Sequence, residues 1–131
     1  AVPDAVEGLD YSEYLKGGAN PGDGAAVIMC PQPFGQVARR HGGREYRGIV
    51  DGRYTYVRSL DGPWLLFDNE TDPYQQKNLC NDPSMAEIQA KLDTKLDQKL
   101  ARRNDEFLPG PVLIERFGYT IDETGTVPYK P

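Results

Sequence analysis

Two Asp-Gly dipeptides, Asp51-Gly52 and Asp61-Gly62, constrain the fold of this chain more than any other sequence feature. They separate three short runs rich in β-branched and aromatic residues, at 44–50, 54–60 and 64–67. Asp-Gly favours the type I′ turn, whose positive φ angles match the twist of a two-residue hairpin. The sequence therefore predicts a three-stranded antiparallel meander over 44–67.

The two-residue loops also predict a register, in which position 50 pairs with 53 and position 60 pairs with 63. One face of the meander then carries Ile49, Tyr54, Tyr56, Leu65 and Phe67 together with Arg47 and Arg58. The opposite face carries Tyr46, Val50, Val57, Trp64 and Leu66. A sheet with one face in water would alternate polar and apolar residues, so both faces are expected to be covered.

An amphipathic helix over about 83–107 is predicted to cover one face. Pro83 suits the first helical position, and Ser84 with Glu87 has the spacing of a capping box. Apolar residues recur at three- and four-residue steps and form one stripe, made of Met85, Ile88, Leu92, Leu96 and Leu100. The second, aromatic face has no evident cover within the sequence. We therefore expect that face to meet a partner, in cis or in trans.

These elements predict an α+β fold, with a small antiparallel sheet of about four strands packed against one long C-terminal helix. The fourth strand is an apolar run at 25–29, interpreted as buried. Residues 1–24 are interpreted as a Gly-rich connecting segment with a short helical turn at 10–16. Residues 108–131 are interpreted as an extended tail with one short strand at 112–114. Since the sequence opens on Ala and no signal-type stretch follows, we expect a processed chain or a piece of a longer protein.

Composition excludes several classes of protein. A chain of 131 residues suffices for one domain, and its net charge of −5 argues against a nucleic-acid binder. Apolar runs fall far short of the roughly 20 residues of a membrane-spanning helix, so no membrane span is predicted. Two cysteines and one histidine exclude a disulfide-stapled scaffold and a His-rich metal cage.

Three groups of residues are candidates for chemistry. Cys30 is followed by proline and invites a nucleophile interpretation, but a buried free thiol at a strand end is favoured over this and over a disulfide with Cys80. The Arg39-Arg40-His41 run suits an anionic substrate, since arginine presents a planar fork to sulfate, phosphate or carboxylate; a solvated surface loop is the competing interpretation. The alternating acids Asp68, Glu70 and Asp72 fit a turn of capping carboxylates better than a calcium loop.

Several segments resemble the C-terminal part of the sulfatase family. They are RYTYV at 53–57, LFDNETDP at 66–73, Asn78-Leu79, the strand YRGIVD at 46–51 and the opening VPDAVEGLD at 2–10. The resemblance covers about residues 1–107, which it identifies as a sulfatase-like C-terminal subdomain, and leaves 108–131 unmatched. It departs from the family pattern at Thr55, Phe67, Asn69 and Gln75-Gln76.

This resemblance implies a parent enzyme of the alkaline phosphatase superfamily that uses calcium and a formylglycine made from Cys or Ser within C/S-x-P-x-R. The segment Cys30-Pro31-Gln32-Pro33-Phe34 lacks the proline and arginine of that motif, so no catalytic residue, metal ligand or cofactor is predicted in this chain. The implied role is a non-catalytic subdomain that packs on a large catalytic domain of the same protein. Arg39, Arg40 and His41 are predicted to line the rim of its pocket for an anionic sulfate ester.

Other interpretations stay open at this point. The parent could hydrolyse phosphonate or phosphate monoesters, which the same superfamily also does. The chain could instead be a stand-alone module that binds anions or sulfated glycans, or a docking subunit. The sequence also leaves a periplasmic, a secreted and a cytoplasmic parent equally open.

Overall fold

The structure is a computed structural model that describes residue 6 and residues 8–128. Most of the resembling segment at 2–10 and the end of the predicted tail therefore lie outside the described residues. The regular elements follow in chain order: α1 (Ser12–Leu15), β1 (Ala25–Cys30), β2 (Tyr46–Asp51), β3 (Tyr54–Ser59), β4 (Gly62–Asp68), α2 (Ala86–Arg102) and α3 (Gly110–Arg116). Short 3₁₀ turns occupy Gly35–Val37, Arg39–His41 and Pro83–Met85.

The four strands form one antiparallel sheet in the order β1-β2-β3-β4, and α2 packs on one of its faces. The predicted α+β fold is confirmed. The interpretation of the first strand as buried was wrong, since β1 is an edge strand that pairs only with β2 and exposes Ala26 and Met29.

Both hairpin loops lie one residue away from their predicted positions. Asp51 pairs with Tyr54, and Ser59 pairs with Gly62. The reason is that glycine, rather than aspartate, takes the positive φ angle in each hairpin: Gly52 has φ 48° and Gly62 has φ 111°. A glycine accepts this conformation without the steric cost of a Cβ atom, so each loop shifts to suit its glycine.

A β-bulge between Val57 and Arg58 changes which residues of β4 share a face with β3. Leu66 lies opposite Tyr56 on the face that meets α2, whereas Leu65 and Phe67 lie opposite Val57 and Thr55 on the far face. The predicted placement of Leu65 and Phe67 with Tyr56 was wrong. The bulge adds an unpaired residue to one strand, which reverses the alternation beyond it.

The apolar stripe of α2 forms the core, as predicted. Its three buried leucines pack against three buried residues of the sheet: Leu92, Leu96 and Leu100 against Ile49, Tyr56 and Leu66. Met85 and Ile88 extend the stripe and are partly buried. The six buried side chains join the helix and the sheet into one apolar layer, the main source of stability in a domain of this size.

The predicted capping box at the start of this helix does not form. Asp82 is the capping residue instead, and its carboxylate accepts the Ser84 backbone N–H at 2.9 Å and the Ser84 hydroxyl at 2.7 Å. Glu87 pairs with Lys91, one turn further along the helix. The helix ends at Arg102, five residues before the predicted end.

Charged side chains at the margin of the core hold α2 on the sheet. The Tyr56 hydroxyl donates to Asp93 at 2.8 Å, and Arg58 forms ion pairs with Asp93 and Asp97. Burial of Tyr56 and its hydrogen bond to the Asp93 carboxylate both raise the pKa of the phenol well above its usual range. These bonds fix how the helix lies across β3.

The far face of the sheet is less open than predicted. Val57 and Phe67 are buried, and the Tyr46 and Trp64 rings lie 6.2 Å apart and are half-buried. The loop after β4 folds back at this face, where Gln75 donates to Thr55 at 3.2 Å and to Asn69 at 2.9 Å. The large side chains of this face therefore shield one another from solvent more than the alternation of residues in the sequence predicts.

The segment after β4 also closes the outer edge of the sheet. The Leu79 backbone N–H donates to the carbonyl of Leu66 at 2.8 Å, and the Asn78 side chain bonds the backbone of both Leu66 and Trp64. These bonds occupy polar groups that an unprotected edge strand would leave open. Within the described residues, no helix has the length and apolar character that crossing a membrane would require.

The interpretation of 108–131 as an extended tail was wrong over α3, and the strand at 112–114 does not form. Pro111 lies in the first turn of this helix, where its missing N–H costs nothing. The preceding Gly110 donates its N–H to the buried Glu45 carboxylate at 2.8 Å. A Cβ at this glycine would lie 2.9 Å from the backbone carbonyl oxygen of Pro31, closer than Cβ atoms normally approach, so glycine suits a helix that begins this close to the loop after β1.

Candidate functional site

The predicted cationic site lies on a compact turn between β1 and β2. Residues Arg39–His41 form a single 3₁₀ turn, which ends at Gly42 with φ 88°. The next glycine, Gly43, packs so tightly on the turn that a Cβ there would lie 1.5 Å from the carbonyl oxygen of Val37. The two glycines therefore fold the loop into a defined shape that presents its three cationic or ionisable side chains.

The three predicted site residues have different surroundings. Arg39 forms an ion pair with Glu45, whose side chain is only 2% exposed and which also accepts the N–H of Gly110. His41 Nδ1 donates to the carbonyl oxygen of Gln36 at 3.2 Å, which fixes the ring against the turn. Arg40 is exposed and joins no ion pair within the part of the chain that the structure describes. Arg40 and His41 are thus the side chains of this turn that are best placed to meet a ligand.

Glu45 is the residue of this site that the sequence analysis missed. It carries a charge at a nearly fully buried position, which is costly unless the charge is paired and hydrogen-bonded. Here the carboxylate is satisfied by Arg39 on one side and by the first residue of α3 on the other. The signal in the sequence was an isolated acid within an arginine-rich stretch.

The other arginines of this region, Arg44, Arg47, Arg53 and Arg58, form ion pairs within the domain. Arg47 pairs with Asp105 through Nε at 2.6 Å, and its guanidinium lies 4.8 Å from the centre of the Phe107 ring. Arg53 pairs with Asp68 and stacks on Tyr54 at 5.1 Å. The hydrogen bond from Arg53 is the main reason that the pKa of Asp68 lies well below its usual range.

The acids after β4 act as capping groups. Asp68 accepts the backbone N–H of Glu70 at 3.2 Å, and Asp72 accepts that of Lys77 at 2.7 Å. Across residues 6 and 8–128, no group of three or more His, Cys, Asp and Glu side chains is placed to hold a metal ion. The described residues therefore do not fit a calcium site, and no chemical step through a metal is assigned to them.

The two cysteines are free thiols and both are partly buried. Burial is the main cause that raises the pKa of Cys30 and also that of Cys80. A raised pKa reduces the fraction of reactive thiolate at neutral pH. The interpretation of Cys30 as a free thiol at a strand end is confirmed, but its predicted full burial was wrong, because β1 is an edge strand and leaves this side chain partly exposed. The sequence around Cys30 lacks the formylglycine motif.

Comparisons with known proteins point to one family. No protein-family model matches the chain. An ulvan-active sulfatase from Formosa agariphila is 37% identical over 129 residues, which is 98% of this chain and 25% of that protein. A Δ4,5-hexuronate-2-O-sulfatase from Bacteroides thetaiotaomicron is 30% identical over 108 residues, which is 71% of this chain and 22% of that protein. A solved structure of a 2-O GAG sulfatase superimposes with a TM-score of 0.66 at 26% identity, over 82% of this chain and 22% of that one.

The four-stranded antiparallel sheet with one long helix packed on it is the architecture of a small α+β subdomain. The chain belongs to the sulfatase family as such a subdomain. It spans about a quarter of the length of the curated relatives that it matches.

Proposed function

We propose that this chain is the non-catalytic C-terminal subdomain of a sulfuric-ester hydrolase that acts on a sulfated carbohydrate. The observation that carries this proposal is the match to the ulvan-active sulfatase, which extends over 98% of the chain but only a quarter of that enzyme. The second relative and the solved neighbour are both sulfatases whose names refer to 2-O-sulfate on hexuronate or GAG substrates. A sulfated polysaccharide, or an oligosaccharide derived from one, is the substrate class that these matches favour.

The subdomain would contribute binding rather than bond breaking. The nucleophile and the calcium ligands that sulfatases typically use would come from the rest of the protein. When calcium and formylglycine are present, they supply charge neutralisation and the nucleophile for attack on sulfur. This chain would pack on the catalytic domain and present its Arg39–His41 turn at the rim of the substrate pocket.

The charge and the rigidity of this turn support the role at the rim. Arg40 is exposed, and a guanidinium offers a planar set of donors to a sulfate or carboxylate oxygen. The His41 ring is exposed and bonds the carbonyl oxygen of Gln36 through Nδ1, which leaves Nε2 available to a ligand. Arg39 differs from both because it is tied to Glu45, and we assign it to shaping the turn.

The test uses the full-length gene product that contains this chain. We expect this protein to release sulfate from ulvan or from a sulfated uronate oligosaccharide. Replacing Arg40 with Ala, or His41 with Ala, should raise KM by about tenfold with a smaller change in kcat, since each removes a contact to a charged group that is present in both ground and transition states.

Arg102→Ala is the matched control, because Arg102 is also exposed and lies in the last turn of α2, outside the Arg39–His41 turn. An increase in KM for Arg40→Ala no larger than that for Arg102→Ala would contradict the proposed role at the rim of the pocket. It would not affect the assignment of the chain as a subdomain. Hydrolysis of phosphate esters with no release of sulfate would contradict the assigned reaction.

A further inference from the structure

A groove of about 760 Å³ lies apart from the Arg39–His41 turn. One wall is the end of β1 and the loop after it, including Met29 and Phe34. The floor is the Arg47–Asp105 pair with Phe107, and the opposite wall is α3 with the chain that follows it to Val127. We call this surface the tail groove.

The tail groove is built by specific contacts. Glu45 binds the first N–H of α3, and Gly110 allows the helix to approach the loop after β1. Arg47 binds Asp105 with two hydrogen bonds of 2.6 and 3.1 Å, which fix the chain between α2 and α3. Two buried charged residues, Glu45 and Arg47, therefore hold the α3 wall of the groove in place, although each lies about sixty positions away from its partner along the chain.

Exposed apolar side chains are concentrated in this groove. Six of its lining residues are large hydrophobic residues that are exposed to solvent: Met29, Phe34, Phe117, Tyr119, Ile121 and Val127. The most exposed of the six is Phe117, at 65%. By contrast, the large apolar residues of the far face of the sheet are buried or half-buried. An exposed apolar surface of this extent is a mark of an interaction site.

The charged groups that line the groove are of two kinds: the Arg47–Asp105 pair at the floor is largely buried and internally neutralised, whereas the other charged side chains are exposed. Arg116 pairs with Glu106 at 3.0 Å, and both are exposed, as is Arg103. An apolar centre with a charged border is the usual anatomy of a protein–protein interface. This arrangement favours a folded protein partner over a strongly charged ligand.

We infer that the tail groove is the surface on which the catalytic domain of the same protein docks. This inference rests on the proposed function, in which about three quarters of the relatives' length lies outside the present chain. The match to the ulvan-active sulfatase extends over nearly all of the residues that form the groove, so a protein with the additional length carries the corresponding segments. The occupant is an apolar segment of the catalytic domain, and the far face of the sheet stays in contact with solvent.

Thiol labelling of the full-length gene product tests this inference without relying on enzyme activity. Three variants each place one new cysteine at an exposed position: Phe117→Cys in the groove, Ala26→Cys on the far face and Tyr74→Cys on the loop after β4. Peptide mapping by mass spectrometry separates each new cysteine from Cys30 and Cys80. Rates are divided by the rate of the same variant in urea, which removes intrinsic differences in reactivity.

We expect the cysteine at 117 to react about tenfold more slowly than the cysteine at 74, and the cysteine at 26 to react as fast as that at 74. Protection at 26 with none at 117 would show that the far face docks instead, and would overturn the inference. Protection at 117 that weakens on dilution, together with a dimer in size-exclusion chromatography, would identify a second copy as the occupant and would also overturn it.

The two proposals fail in different ways. Fast labelling at 117 in a protein that releases sulfate would refute the docking surface and leave the function intact. Slow, concentration-independent labelling at 117 in a protein that releases no sulfate would refute the function and leave the docking surface intact. A gene product no longer than this chain would overturn both, because no catalytic domain would exist.

Discussion

Replacing Asp105 with Asn tests whether the buried ion pair beneath the tail groove stabilises the domain. The side chain of Arg47 is 3% exposed, and its guanidinium depends on Asp105 for its only two bonds to a charged group in the described structure. Asparagine has nearly the same shape and can still accept the N–H of Phe107, which Asp105 accepts at 2.7 Å. The substitution therefore removes the negative charge and leaves the buried Arg47 without a counter-charge.

Removing one partner of a buried pair costs about 3 kcal/mol, because the remaining charge is desolvated without compensation. With a urea dependence of about 1.5 kcal/mol per molar, the midpoint of unfolding should fall by roughly 2 M. The assay is urea unfolding of the purified chain, followed by circular dichroism at pH 7. Glu87→Gln is the matched control, since Glu87 pairs with Lys91 in an exposed i,i+4 bridge and its loss should hardly move the midpoint.

A double variant separates the cost of an unpaired charge from a loss of packing. Arg47→Met with Asp105→Asn removes both charges, keeps apolar bulk beside Phe107 and keeps an acceptor for the Phe107 N–H, so it should recover most of the stability lost in Asp105→Asn alone. A midpoint for Asp105→Asn within error of Glu87→Gln would refute the reasoning. A double variant as unstable as Asp105→Asn would show that shape, rather than charge, determines the loss.

The same pair predicts a pH dependence with a definite sign. Burial alone raises the pKa of Asp105, but hydrogen bonds from Arg47 and the Phe107 N–H outweigh it and lower the pKa below the ordinary value of 3.8. A carboxyl group with a lowered pKa in the folded state contributes its stability in full above the ordinary value and loses it as the pH falls through the lower one. The gap between wild type and Asp105→Asn should therefore be constant from about pH 5 to 7 and should narrow below pH 3.8.

Two further substitutions test the packing of the sheet and helix. Leu96→Ala should lower the free energy of unfolding by about 3 kcal/mol in urea titrations, because Leu96 is fully buried in the core, whereas Leu15→Ala at an exposed position should have little effect. Gly48→Ala should cost about 1–3 kcal/mol, since its Cβ would lie 2.7 Å from the carbonyl oxygen of Tyr56. Gly8→Ala is the control for it, since a Cβ there meets open space; equal midpoints for the two alanine variants would contradict the close approach.

The sequence predicted what depends on local pattern. The stripe from Met85 to Leu100 identified the face of α2 that packs on the sheet, because a single helix repeats its faces without interruption. The glycine-containing turns located both hairpins to within one residue. The prediction of which β4 side chains share a face with Tyr56 was wrong, because the bulge beside Arg58 reverses the alternation along β4. A bulge has no reliable signature in residue periodicity.

The tail could not be predicted because its structure depends on distant contacts. Two prolines around Gly110 are typical of extended chain, yet the buried Glu45 binds the Gly110 N–H and fixes the start of a helix. The candidate site likewise combines residues that the local sequence identifies with one that only a distant contact reveals. Its three cationic or ionisable residues are adjacent in sequence and were identified together, whereas the acid that holds Arg39 in place was found only in the structure.

The order of the strands has a consequence for how this domain folds. Each strand pairs with its neighbour in sequence, so the sheet requires only short loops to close and has a low contact order. The contacts from Arg47 to Asp105 and from Glu45 to Gly110 span 58 and 65 positions, and their closure is entropically more demanding. During synthesis on the ribosome, the meander can therefore form while α2 and α3 are still in the exit tunnel. The wall of the tail groove that contains α3 then assembles last. A catalytic domain synthesised earlier would already be present when its docking surface takes shape.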